Sequence, residues 1–165
     1  SGAMAGGTSQ PVDAGFVVSG AGEYEIKGVM AEAFPLEGGF VYTLTIDGIS
    51  VCHIGNVKKE GIDGLLEKIG DVDILLIPVG GPYRAGKEAV HALNTEEAVA
   101  VAGELEPRII IPMQYKIPNL AIELTGVDKF LKAMGAASTA PVDKLVIKKK
   151  DLPQEETKVI MLAKE

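Results

Sequence analysis

The sequence predicts a layered α/β protein, a mixed β-sheet carrying helices, and three observations lead there. Short β-prone runs joined by tight-turn signals fill its first third. Two nearly continuous apolar runs, 72–79 and 108–113, read as strands covered on both faces. Segments with helical spacing separate such runs in the rest of the chain, so strand and helix alternate there.

The elements follow in order. Residues 1–7, SGAMAGG, read as an expression scar, and 8–15 as a small, polar, Pro-containing linker, so 1–15 is set aside and one domain is expected over 16–165. Phe16 to Ser19 is a short β-prone run, and Gly20-Ala-Gly22 a turn. Glu23 to Lys27 and Val29 to Phe34 alternate in character around Gly28, which predicts a strand pair. Phe40 to Ile46 and Ile49 to Ile54 flank Asp47-Gly48, a strong two-residue hairpin signal. From Glu60 to Ile69 the apolar positions Ile62, Leu65, Leu66 and Ile69 fall at helical spacing, with Gly70 as the stop. Val72 to Val79 is expected at the centre of the sheet, ending in Gly80-Gly81-Pro82.

Asn94 or Thr95 can cap a helix running to Leu105, because Glu96 and Glu97 then lie at the positive end of its dipole, and Pro107 marks the exit. Arg108 to Met113 is a second buried strand, and Val127 to Met134 a helix ended by Gly135. Lys144 to Lys148 and Lys158 to Leu162 are expected to close the chain as strands. Two β-α-β passages, 74–111 and 109–147, place helices against one face of a mixed sheet.

Composition excludes several classes of function. With 16 basic against 23 acidic side chains the formal charge is −7, which repels a nucleic-acid backbone and an anionic membrane surface. No apolar run reaches the roughly 18 residues that a membrane helix needs. The single cysteine, Cys52, permits neither an intrachain disulfide nor a cysteine-rich zinc site, and it fits the cytoplasm.

The candidate chemistry is sparse. Metal hydrolysis needs clustered imidazoles and carboxylates, yet the two histidines, His53 and His91, are far apart and in no ligand-spaced pair. His53 reads as a strand residue with satisfied hydrogen bonds, and His91 as a surface residue in a polar connection. Alternation turns Cys52 to the side of its strand opposite His53, so core packing is expected for the thiol. Ser19, Ser50 and Ser138 lack the elbow of a serine hydrolase, and the glycine turns lack the lysine and hydroxyl of a phosphate loop.

Four collinear segments, 19–29 (SGAGEYEIKGV), 45–56 (TIDGISVCHIGN), 72–81 (VDILLIPVGG) and 107–115 (PRIIIPMQY), resemble the later part of a metallo-β-lactamase-fold hydrolase of the small, single-domain bacterial type. The resemblance covers about Phe16 to the C-terminus. It implies a partial αββα sandwich lacking its N-terminal part, which in that family carries a His-x-His-x-Asp-His ligand cluster. It also places His53, Asn56, Gln114 and Tyr115 at one rim, as a ligand-binding edge. Two ligand positions depart from the family pattern: Asn56 stands for an aspartate and Gln114 for a histidine. A further family histidine, expected just beyond Phe34-Pro35, is replaced by Leu36-Glu-Gly-Gly39.

An amide oxygen is a neutral, weak donor to a transition metal. The expectation is therefore a degenerate, non-catalytic binding or structural module with no catalytic residue, no metal ligand and no cofactor. Its alternative is part of a metal-dependent hydrolase, holding zinc or another divalent ion, whose ligand-bearing half comes from elsewhere. A sandwich without its first layer exposes a sheet face, so a homo-oligomer or another polypeptide docked there is expected.

Overall fold

The structure, a computed structural model, describes residues 22–26, 28–116 and 124–163. The expected scar, linker and Phe16–Ser19 run lie outside the described residues. Strands β1 (Gly22–Ile26), β2 (Val29–Leu36), β3 (Gly39–Ile46) and β4 (Ile49–Ile54) form an antiparallel meander. The β3–β4 turn is the one foreseen: Asp47 (φ 51°) and Gly48 (φ 77°) are both left-handed, as the twist of a two-residue hairpin requires.

From β4 onward pairing becomes parallel. β5 (Ile74–Pro78) lies between β4 and β8 (Ile109–Met113), and β9 (Lys158–Val159) pairs outside β8. The described strands make one mixed sheet in the order β1-β2-β3-β4-β5-β8-β9, with the apolar 72–79 run in its interior. A separate hairpin, β6 (Tyr83–Ala85) with β7 (Glu88–Val90), follows β5 and was not foreseen.

Helices pack on one face. α3 (Thr95–Leu105) starts from a capping box, in which the Asn94 side chain accepts from the Glu97 amide at 2.8 Å and the Glu97 carboxylate accepts from the Asn94 amide at 3.1 Å. It buries Ala98, Val101, Ala102 and Leu105 against Cys52, Leu75, Ile77 and Ile110, beside Phe130 and Leu131 of α4 (Asp128–Ala133). The single helix expected over 60–69 is two short ones, α1 (Lys59–Asp63) and α2 (Leu66–Ile69), broken around Gly64. Gly61 and Gly64 supply too little helix propensity to hold one continuous element, while Ile62 and Ile69 stay buried at the foreseen positions.

The opposite face carries a smaller cluster of Ile49, Ile74, Ile109, Ile111, Leu152 and Ile160. Residues 144–148, expected as a strand, are not one. Leu145 and Ile147 turn inward onto this cluster while Val146 faces out, so the alternation reports a half-buried extended segment lying across the sheet, without ladder pairing. Among the described residues Val142 makes an isolated bridge to Leu162, and the strand expected over 158–162 is confined to Lys158–Val159.

Candidate functional site

β4, β5 and β8 are adjacent and parallel, so their C-terminal ends emerge at one edge of the sheet. In open α/β sheets that edge is where loops diverge and ligands bind. His53 pairs with Leu76, Pro78 pairs with Met113, and the Val79 amide donates to the Met113 carbonyl at 3.0 Å. Asn56, Gly80-Gly81 and Gln114-Tyr115 follow directly on these positions.

Missing Cβ atoms let the loops at this edge pack closely. A Cβ on Gly38 would sit 2.8 Å from the Asn56 carbonyl oxygen, and one on Gly55 2.6 Å from the Phe40 oxygen. A Cβ on Gly80 would collide with the Gln114 carbonyl and approach Tyr115 Cα to 3.1 Å. Gln114 itself is left-handed (φ 51°), an uncommon state for a residue with a long side chain, and strain of that kind concentrates at functional sites.

The four rim residues share this edge through their backbones, but their side chains diverge. His53 turns to the face away from the helices and lines a groove of about 390 Å³ with Ala31, Tyr42, Leu44, Val51 and Leu76. Its ring centroid is 6.3 Å from that of Tyr42. The expectation of satisfied hydrogen bonds fails at one ring nitrogen of His53, Nδ1, which is buried with no hydrogen-bond partner. Burial, partly offset by a backbone hydrogen bond, holds the imidazole below its ordinary pKa and therefore neutral near pH 7. Asn56 Oδ1 is likewise buried and unpartnered. Tyr115 packs toward the helix-side core, and burial pushes its phenol up.

Cys52 lies on the helix side, as alternation requires. It is fully buried, and desolvation pushes its thiol up to about 12, so it is no nucleophile. His91 was read as a surface residue but is half-buried where β7 returns to the edge. Its Cδ2 lies 3.9 Å from the Cβ position of Gly38, beside the Asn56 backbone. No periodicity in 83–93 signalled that placement; the one cue was Gly38-Gly39, which leaves room for it. A second cavity, about 960 Å³, lies at the far end of the sheet by Ser50, Asp73 and Arg108, away from all of these groups.

A divalent ion is poorly matched by what the described residues present. Among the described residues no three His, Cys, Asp or Glu side chains lie close enough to hold one. The unpartnered atoms at hand are one imidazole nitrogen of His53 and one amide oxygen of Asn56, a set without negative charge. On their own, the described residues do not complete a metal site.

Comparison with known proteins defines the lineage. The β-lactamase superfamily domain matches residues 7–114. The chain is 32% identical over 97 residues to a UPF0173 metal-dependent hydrolase of Cupriavidus necator, covering 58% of this chain and 30% of that one. It is 32% identical over 98 residues to a UPF0173 metal-dependent hydrolase of Thermococcus onnurineus, covering 57% and 38%. The matches thus span about a third of these relatives' length. A solved structure from Thermotoga maritima, described as a candidate Zn-dependent hydrolase of the metallo-β-lactamase superfamily, superposes with a TM-score of 0.74 at 31% identity, over 90% of this chain and 72% of that one.

These relatives correct the expectation of no cofactor. Their descriptions make a divalent metal the group that the family implies, whatever donors complete its site. No helix among the described residues is long and apolar enough to cross a membrane. With the family domain matched over more than half of this chain and the fold shared with the Thermotoga protein, this chain belongs to the metallo-β-lactamase-fold hydrolase superfamily.

Proposed function

We propose that this chain is a metallo-β-lactamase-fold module that binds a ligand or partner without hydrolysing it. The observation that carries this reading is the chemistry of the strand-end rim. Asn56 and Gln114 put neutral amides where the family resemblance places an aspartate and a histidine. A hydrolytic metal must stay bound and must acidify a water, and both need more charge and imidazole than this edge offers. The cytoplasm is the compartment that a single buried cysteine suits.

A second reading is favoured by a different observation. Buried, unpartnered His53 Nδ1 and Asn56 Oδ1 are what one wall of a larger donor set would look like, and the relatives named metal-dependent hydrolases are much longer than the matched span. In that reading the chain is part of a metal-dependent hydrolase whose remaining ligands come from elsewhere.

Metal analysis separates the two. Elemental analysis of dialysed protein, zinc and manganese titration by calorimetry, and turnover of chromogenic ester and phosphodiester substrates are measured on the wild type and on the Asn56→Asp/Gln114→His double variant. The binding reading expects no turnover from the wild type and a clear gain in zinc affinity from the double variant. Stoichiometric metal surviving dialysis of the wild type, with turnover abolished by a chelator, would establish the second reading instead.

A further inference from the structure

We draw no further inference here: the strongest candidate, the cavity of about 960 Å³ at the far end of the sheet, carries nothing, because it is lined by a cluster of carboxylates, Asp71, Glu106, Glu155 and Glu156, around an Arg108 already engaged by Asp73 and the Pro153 carbonyl, and nothing else among the described residues points to a ligand there.

Discussion

Replacing Gly80 by alanine tests whether the strand-end rim is as tightly built as the structure shows. The added methyl would meet the Gln114 carbonyl and lie 3.1 Å from Tyr115 Cα, both backbone atoms that cannot swing aside as a side-chain tip would. Either the β5 or the β8 exit must move, and both are anchored by the Val79–Met113 hydrogen bond of 3.0 Å. Overpacking of this kind costs about 2–3 kcal/mol. For a domain of this size that lowers Tm by roughly 4–12 °C. The control is Gly103→Ala in the exposed last turn of α3, where a Cβ meets nothing within 4 Å. It should stabilise by about 0.5–1 kcal/mol through helix propensity and a less flexible unfolded chain. Urea and thermal unfolding of both variants give the comparison. If Gly80→Ala costs no more than about 0.5 kcal/mol, the range of an ordinary surface substitution, the close approach at the rim is not real.

Other perturbations read other parts of the molecule. Asn94→Ala removes one arm of the α3 capping box and should cost about 0.5–2 kcal/mol in urea unfolding, with Asn94→Asp nearly neutral. His53 has its pKa lowered in the fold, so the unfolded chain binds the extra proton first. Its contribution is full above the unfolded value near 6.5 and is lost as pH falls through the window below it, so acid stability should improve in His53→Phe. Melting curves between pH 7 and pH 5 check that sign. Cys52 should resist thiol reagents at neutral pH in the folded state and react readily once urea unfolds the chain, as its burial and raised pKa demand.

What the sequence makes legible divides along physical lines. Signals confined to a few residues survive intact: Asp47-Gly48 dictates a hairpin through its left-handed backbone, and Asn94 with Glu97 dictates a helix start through two hydrogen bonds. Signals that depend on what lies opposite do not. Residues 144–148 alternate like a strand because one side is buried, but alternation cannot say whether the neighbour is a ladder partner or the face of a sheet. The β6–β7 hairpin is three residues per strand, too short for any period to register. At the rim, the resemblance located His53, Asn56, Gln114 and Tyr115 along the chain and at one edge, because parallel register carries positions across strands. It did not foresee that His53 and Tyr115 face opposite sides, nor that His91 comes down beside Gly38, since both follow from loop paths.

The parallel seam between β8 and β9 bears on how the chain reaches its native state. β1 to β4 pair with immediate neighbours through short turns, so the meander closes small loops and can form early. The Lys158 amide, by contrast, bonds the Arg108 carbonyl across fifty positions of chain, and the Thr157 hydroxyl bonds the Pro107 carbonyl over the same span. That edge can lock only after everything between has been laid down, which makes it the last seam to zip during synthesis and the first whose amides should exchange with deuterium.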